Sequence, residues 1–310
     1  MLQLMLEHST VMPVIHVSPE NHPQAKYPLL EVNGWRFPCD FNEEVIRNIP
    51  EVDIRDDDVM LCGYMRSGTH WCFEVINMLL RKSVDTIPHP KEHFHLEQKF
   101  NEELAQHPSP RVLNGHMHFD RLPKAAIEKK VKVIYVLRDP RDIACSWYQL
   151  MGKYLRIRDK VEICPFADWL KLFVNGELAW GSWFDHVTNW EKAMANDHTS
   201  SILVVRFEDL VTQPVRQIER IDKFLNTKTD ETFRTRVAEK CSLDNMKQDK
   251  LAVTEKLDGR SVHYNQGKIG TWQNWFSGEL SQYFNRVYDE KMKDSKFYDL
   301  YRKSEIVNTS

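Results

Sequence analysis

Several signatures that assign other proteins to a class are missing from this sequence of 310 residues. Its net charge of −3 is close to balance, so it lacks the basic excess that marks nucleic-acid-binding proteins. No run approaches the roughly 18 apolar residues that a membrane-spanning helix needs. The N-terminal stretch MLQLMLEHST has no basic region of the kind found in secretory signals. We therefore expect a cytoplasmic protein with neither a nucleic-acid nor a membrane partner.

The cysteines and histidines also lack the spacings of known metal sites. The six cysteines are scattered without a CxxC pair, and three of them lie in predicted strands or helices, which favours a reducing compartment over a disulfide framework. Histidines are frequent within residues 83–110, but neither HExxH nor paired Cys/His spacing occurs. We predict no metal site and interpret residues 83–110 as a mobile, irregular loop that covers a pocket.

The most informative stretch that is present is a strand, a polar loop and a helix within residues 56–80. The mostly apolar run at residues 59–64 predicts a buried strand, and from Trp71 onward apolar residues recur at helical spacing. A loop at the start of a helix presents backbone N–H groups and the positive end of the helix dipole. Such a loop suits an anion, and Arg66 adds a cation to it.

The two glycines of this loop, Gly63 and Gly68, have the spacing of a nucleotide-binding P-loop, but the loop ends differently. Thr69 and His70 stand where a loop that binds Mg²⁺ and a nucleoside triphosphate has Lys followed by Ser or Thr. The loop is therefore interpreted as an anion site that does not hold Mg–ATP. An ordinary strand-to-helix turn is the alternative, because glycine motifs this short are loose.

A histidine follows the next predicted strand, Arg111–Leu113, in the sequence Asn114-Gly115-His116. A residue just past the C-terminal end of a strand lies where open α/β sheets bind their ligands. A neutral imidazole there is suited to take a proton from an acceptor hydroxyl near pH 7. His118 is the competing candidate, and a surface or hydrogen-bonded histidine is the structural alternative.

The clearest strand of the chain, Val131–Leu137, is followed by Arg138 and then by a predicted helix. Asp139 is a favoured residue before the first turn, and proline is favoured at the first helical position. Ser146 lies on this helix, so its hydroxyl and the Arg138 guanidinium are candidates to share a phosphate. A salt bridge between Arg138 and Asp139 or Asp142 is the alternative.

The order of elements predicts an α/β protein with one domain, in which helices flank a central parallel sheet. Residues 1–30 are expected to be loosely structured because prolines interrupt them. Asn33-Gly34 predicts a hairpin over residues 31–38, and residues 41–49 predict a short helix. The aromatic residues of segment 166–190 are interpreted mainly as core packing.

Five motifs in register resemble the cytosolic sulfotransferase family. They are RSGTHW after a strand, NGH at a strand end, VIYVLRDPRDIACSWY, FEDL, and the GxxGxW segment that begins at Gly267. The resemblance implies a P-loop-like α/β fold that transfers a sulfuryl group, without a metal, from 3′-phosphoadenosine 5′-phosphosulfate (PAPS) to a small, largely apolar acceptor. It also implies a sulfotransferase domain over residues 45–303, with residues 1–44 as an N-terminal extension that adds acceptor-side elements.

The resemblance also implies roles for individual residues. His116 is expected to be the general base on the acceptor hydroxyl or amine, and Arg66 to act both in catalysis and in binding the phosphosulfate. Arg138 and Ser146 are expected to hold the 3′-phosphate, and Trp71 to stack on adenine. The other donor-binding positions implied by the motifs are Ser67, Gly68, Thr69, His70, Phe207, Cys241, Leu243, Asn265, Gln266 and Gly267.

At several of these positions the chain departs from the family's pattern. The family usually has Lys where Arg66 stands, and a guanidinium lacks the compact charge of an ammonium. The usual Lys-Thr-His is Asn114-Gly115-His116 here, which removes a cation near the transferring group. The Arg-Lys-Gly that completes the 3′-phosphate site is Asn265-Gln266-Gly267, and each lost charged hydrogen bond is worth about 1.5–3 kcal/mol. Lys268 and Arg260 are the candidate cations to compensate.

Two more replacements are Phe207 for a tyrosine and Leu243 for a phenylalanine. The family's dimerisation signature is also degraded, which predicts a monomer or a different dimer. Its Lys, Thr, Val and Glu positions are occupied by Gln273, Ser277, Gly278 and Gln282. Two other functions stay open: a catalytically weak or inactive relative that binds a nucleotide or hydrophobic ligand, and a small-molecule kinase of the P-loop type.

Overall fold

The computed structural model describes residues 14–155, 163–196, 201–250, 256–257, 260–261 and 267–302. The strands in these ranges are β1 (Val14–Val17), β2 (Tyr27–Val32), β3 (Trp35–Pro38), β4 (Val59–Gly63), β5 (Val112–Gly115), β6 (Lys132–Leu137), β7 (Ile202–Arg206), β8 (Lys256–Leu257) and β9 (Arg260–Ser261). The α-helices are α1 (Glu43–Asn48), α2 (Thr69–Arg81), α3 (Asn101–Ala105), α4 (Lys124–Glu128), α5 (Pro140–Tyr154), α6 (Phe166–Asn175), α7 (Trp183–Ala195), α8 (Phe207–Thr212), α9 (Pro214–Leu225), α10 (Glu231–Lys240), α11 (Leu243–Asp249), α12 (Gly278–Met292) and α13 (Tyr298–Arg302).

A four-stranded parallel sheet in the order β5-β4-β6-β7 lies at the centre of the fold. Successive side chains of a strand point to opposite faces, and β4 contributes to a different core on each side. Met60 and Cys62 pack into one core, and Val59 and Leu61 pack into the other. Helices cover both faces, which is why these strands are mostly apolar. The predicted fold class is confirmed.

The helix that follows β4 begins two residues earlier than predicted, at Thr69 instead of Trp71. Gly68 precedes it in the left-handed region, with φ +101°, and no side chain caps the first turn. Helix α5 begins as predicted, because Asp139 accepts a hydrogen bond from Arg141 N and Pro140 occupies the first helical position. Both helices therefore start beside the C-terminal edge of the sheet.

The N-terminal region contradicts the expectation of loose structure over residues 1–30. Within the described part, β1, β2 and β3 form an antiparallel sheet, and the predicted hairpin pairs Val32 with Trp35. Tyr27 and Leu30 of this sheet are buried in the same core as the aromatic helices. Of the prolines that suggested loose structure, Pro19 and Pro23 lie between β1 and β2. Pro28 lies within β2, one residue outside the part of β2 that pairs with β3.

The aromatic residues of segment 166–190 are core residues, as predicted. Their buried members include Trp169, Phe173, Trp183, Phe184 and Trp190. The interpretation of residues 83–110 as a mobile, irregular loop is wrong in part, because a 3₁₀ helix (Lys91–Phe94) and α3 lie within it. Several of its polar side chains are buried against the sheet edge. This segment therefore contributes to the site.

Candidate active site

A cavity of about 610 Å³ opens beside the C-terminal ends of the parallel strands. Its volume lies within the range of about 300–1,000 Å³ that is usual for small-molecule sites. The predicted site residues that line it are Arg66, Gly68, Thr69, His70, Trp71, His116, Arg138, Ser146, Phe207, Cys241, Leu243 and Gly267. Ser67 is buried just behind this wall, and Asn265 and Gln266 lie outside the described residues.

The loop between β4 and α2 has the conformation of an anion-binding turn. Arg66 and Gly68 both have positive φ angles, +65° and +101°. A Cβ atom at Gly68 would lie 2.7 Å from Cδ2 of Phe207, so a side chain has no room there. The Ser67 hydroxyl is buried and has no hydrogen-bond partner within the described ranges. An uncapped helix start and a buried hydroxyl without a partner both suit an anion.

Two guanidinium groups lie side by side next to this loop. Arg66 Nε donates to Ser146 Oγ at 3.0 Å, and Arg138 Nη1 donates to the Arg66 carbonyl at 2.8 Å. Burial, and then the Arg138 charge, lowers the pKa of Arg66 to about 10. Burial also lowers the pKa of Arg138. Two neighbouring cations shielded from water repel each other, and an anion bound beside them lowers that cost.

The alternative of a salt bridge from Arg138 to a neighbouring aspartate is wrong. Asp139 pairs with Arg141 at 2.7 Å, and Asp142 accepts from the Thr271 hydroxyl at 2.9 Å. Arg138 instead lies over the Phe207 ring, with Cζ 4.1 Å from the centroid. Its Nε has no hydrogen-bond partner within the described ranges. The guanidinium is therefore held by carbonyls and an aromatic face, and within the described ranges it forms no direct ion pair with a carboxylate.

Trp71 forms a flat wall on the same side of the cavity. Its Nε1 donates to the Cys241 carbonyl at 2.7 Å, which fixes the indole plane between α2 and α10. Leu243 closes the wall beside Gly267, where a Cβ atom would lie 2.8 Å from Leu243 Cδ2. The carbonyl of Lys268 accepts a bond of 3.4 Å from Arg138 Nη2. An immobilised indole of this kind is suited to stacking on a planar ring.

His116 lies at the opposite wall and has a defined tautomer. Its Nδ1 is 2.8 Å from the Gly63 carbonyl, which only accepts, so Nδ1 carries the proton. Nε2 is then the basic nitrogen of the neutral ring. The His116 backbone N–H donates to Glu97 Oε2 at 3.0 Å, and the Trp180 ring packs edge-on at 5.3 Å. These contacts hold the imidazole in place.

The competing histidine, His118, does not line the cavity. It is buried between Trp35, whose ring is 4.4 Å away, and His186 at 5.4 Å. Burial lowers the pKa of His118 to about 4. His116 is therefore the histidine that the fold brings to the cavity.

Three polar residues of the site were not predicted, because they belong to the segment interpreted as a covering loop. Lys91, His95 and Glu97 are all buried, and the first two line the cavity. Glu97 accepts from Trp180 Nε1 at 2.8 Å as well as from the His116 backbone. Burial lowers the pKa of His95 well below its ordinary value, so the ring is neutral beside Glu97. The alternation of apolar and polar residues in Phe94-His95-Leu96-Glu97 was the available signal.

The other histidines of this segment do not form a metal site. The rings of His89 and His93 stack at 5.4 Å, and His107 packs against both. Within the described ranges, no group of three or more His, Cys, Asp or Glu side chains is placed to hold a metal ion. The part of the chain that the structure describes also contains no helix long and apolar enough to cross a membrane.

Comparison with known proteins identifies the family. The model of the sulfotransferase domain matches residues 56–296, which is most of the chain. The chain belongs to the sulfotransferase family. The predicted family and enzyme class are thereby confirmed, and the small-molecule kinase alternative loses its support.

Individual sulfotransferases are similar to this chain over most of its length. Zebrafish (Danio rerio) sulfotransferase 6B1 is 28% identical over 83% of this chain and 88% of its own. The 3-alpha-hydroxysteroid sulfotransferase of guinea pig (Cavia porcellus) is 29% identical over 84% of this chain and 92% of its own. The crystal structure of mouse sulfotransferase SULT7A1 complexed with PAP superposes with a TM-score of 0.74 at 27% identity, covering 88% and 97% of the two chains.

Proposed function

We propose that this sulfotransferase transfers a sulfuryl group from PAPS to a hydroxyl or amine of a small, largely apolar acceptor. One observation carries the proposal: the half-buried Arg66 guanidinium, the buried Arg138 guanidinium and a histidine with a basic Nε2 line the same cavity. The first feature suits the anionic donor, and the second suits an acceptor that must lose a proton.

The donor end is formed by the loop after β4 and by the strand end at Arg138. The start of α2, the Ser67 hydroxyl and Arg66 are suited to the 5′-phosphosulfate. Arg138 and Ser146 are suited to the 3′-phosphate, and the Ser146 hydroxyl also accepts a hydrogen bond of 3.0 Å from Arg66 Nε. The Trp71 indole supplies a stacking surface for adenine, and the mouse structure with PAP shows that a protein of this fold binds such a nucleotide.

The acceptor end is lined by His116 and by apolar side chains from several elements. They include Leu29 and Phe41 from the N-terminal region, and Trp147 and Leu178 beyond the sheet. A hydroxysteroid sulfotransferase is among the similar proteins, and an acceptor of comparable apolar character fits this lining. Residues 1–44 accordingly supply acceptor-side elements, and residues 45–303 form the sulfotransferase domain.

The transfer step requires an in-line arrangement of acceptor, sulfur and leaving oxygen. The acceptor oxygen or nitrogen forms a bond to sulfur while the bond from sulfur to the bridging phosphate oxygen breaks. His116 Nε2 takes the acceptor proton, and the electron pair of the broken bond stays on the phosphate, which leaves as PAP. Arg66 and the N–H groups at the start of α2 stabilise the charge that develops there.

For the assembly and the location of the protein, we rely on two features of the sequence. The degraded dimerisation signature supports a monomer or a dimer of another kind, and the likeness to cytosolic sulfotransferases supports a cytoplasmic location. Neither feature bears on the chemistry of the site.

The alternative of an inactive relative that only binds ligand rests on Asn265 and Gln266, where the family has two cations. The wild-type protein, assayed for PAP binding and for transfer, separates the two functions, and a single variant tests the assignment of the base. His116→Ala is expected to abolish transfer from PAPS and to change the affinity for PAP by less than about twofold, because His116 lies at the acceptor wall. His118→Ala is the matched control and is expected to retain transfer. Transfer by His116→Ala would contradict the assignment, and PAP binding without transfer by the wild type would establish the inactive relative.

A further inference from the structure

A buried lysine from the 3₁₀ helix lies at the cavity wall, next to the strand that carries His116. Lys91 is 4% exposed, and its Nζ donates to Asn114 Oδ1 at 2.8 Å. Asn114 Nδ2 returns a bond of 3.0 Å to the Lys91 carbonyl, so the two residues hold each other. Asn114 lies two residues before His116. In the parallel sheet it pairs with Leu61, which lies two residues before the end of β4. The ammonium is therefore anchored at β5, in the wall of the cavity that Arg66 and His116 also line.

The hydrogen bonding of this ammonium is incomplete. A lysine ammonium has three N–H donors, and Asn114 Oδ1 is the one acceptor of Lys91 Nζ within the described ranges. Two nearby carboxylates are engaged elsewhere: Glu97 accepts from Trp180 and His116, and Glu92 lies 3.4 Å from His70 Nε2. Burial lowers the pKa of Lys91, as expected for an ammonium that has lost water without gaining an ion pair.

The second buried lysine of the described chain shows how a structural ammonium is satisfied. Lys250 Nζ lies 2.7 Å from Glu74 Oε1 and 2.8 Å from the Ile87 carbonyl. Lys250 does not line the cavity, whereas Lys91 does. Because a buried charge is costly unless it is paired, Lys91 has the surroundings of a group whose partner is a ligand.

We propose that Lys91 donates hydrogen bonds to the oxygens of the sulfuryl group during transfer and so supplies, from another element, the cation that position 114 lacks. This inference rests on the proposed function. The sulfuryl group passes between the anion-binding loop and the acceptor at His116. The ammonium is bonded to Asn114 on β5, which leads to His116 and pairs with β4, the strand that leads to the loop. Two N–H groups of Lys91 and the guanidinium of Arg66 then stabilise the transferring group together.

The test compares two ligands that differ only in the sulfuryl group. Lys91→Met is expected to leave the Kd of PAP unchanged within about twofold, to raise the Kd of PAPS roughly tenfold and to lower kcat about 10- to 100-fold, as loss of a charged hydrogen bond implies. Lys91→Gln, which keeps a donor for Asn114 but no charge, is expected to show the same pattern. Titration calorimetry without acceptor gives both Kd values.

The double variant Lys91→Met/Asn114→Lys returns an ammonium to the neighbouring position and is expected to recover at least about tenfold in kcat over Lys91→Met. Lys132→Met is the matched control. Lys132 lies at the N-terminal end of β6, where its ammonium donates to the Leu225 carbonyl. Wild-type kcat in both Lys91 variants, or equal weakening of PAP and PAPS, would overturn the inference while leaving the proposed function intact. A wild-type protein that does not bind PAP would overturn both.

Discussion

Replacing Glu97 by glutamine is expected to change how the stability of the protein depends on pH. Burial raises the pKa of this carboxyl from 4.5 to about 7, although its two hydrogen bonds and the Lys91 charge oppose the rise. The folded protein therefore keeps a proton that the unfolded chain releases near pH 4.5. The ring of His95, next to this carboxyl, is neutral in this range because burial lowers its pKa.

The sign and size of the effect follow from linkage between protonation and folding. Below about pH 4.5 the side chain is protonated in both states and has no effect on stability. As the pH rises toward 7, unfolding releases a proton, so the free energy of unfolding falls. The whole fall amounts to about 3 kcal/mol, because one pKa unit corresponds to about 1.4 kcal/mol. Glu97→Gln removes this slope, because an amide does not titrate.

Urea unfolding between about pH 5 and pH 8 measures the effect. The amide of Glu97→Gln places its NH₂ group against an N–H of Trp180 or His116, a cost that does not vary with pH. The difference in unfolding free energy between the variant and the wild type is therefore expected to rise by about 2–3 kcal/mol from pH 5 to 7.5. Glu290→Gln, at an exposed position of α12, is the control. A constant difference for Glu97→Gln would refute the reasoning.

Two further predictions concern the donor end of the cavity. Arg138→Met is expected to weaken PAP binding roughly 10- to 100-fold, because a charged donor is lost; unchanged affinity by calorimetry would contradict its role. Gly68→Ala is expected to lower the unfolding free energy by about 1–3 kcal/mol more than Gly34→Ala does. Both glycines have positive φ, but a Cβ atom at Gly68 would lie 2.7 Å from Phe207 and one at Gly34 has no atom within 4 Å. Equal losses in urea unfolding would contradict the steric argument.

The elements of the fold that could be predicted are those whose type or start is set by residues close together in sequence. Strand β6 is apolar and β-branched, and the Asp139-Pro140 pair starts α5 by capping, which needs no distant partner. The N-terminal sheet could not be predicted, because its strands are stabilised by pairing across a loop that contains prolines. Pro28 is tolerated in β2 because β3 ends opposite Leu29, so β3 has no residue opposite Pro28 that needs its missing N–H.

The site was predictable to the extent that its residues follow strands in sequence. His116 and Arg138 come directly after a parallel strand and Arg66 comes three residues after one, and such ends meet at one edge of the sheet. Lys91 and Glu97 were not predictable in this way, because their partners, Asn114 and Trp180, are brought near only by the fold. A polar segment rich in histidine resembles a surface loop until those contacts are known.

The most direct test of the central claim is a thermal melt with saturating PAP, with ADP plus Mg²⁺ and with 5′-AMP measured beside it. A ligand that binds only the native state stabilises it by RT ln(1 + [L]/Kd), which is about 2.7 kcal/mol at one hundred times Kd. We expect PAP to raise Tm clearly more than 5′-AMP does, because in the proposed function Arg138 binds the 3′-phosphate even with Asn265 and Gln266 in the chain. No rise with PAP, or a larger rise with ADP and Mg²⁺, would contradict the account.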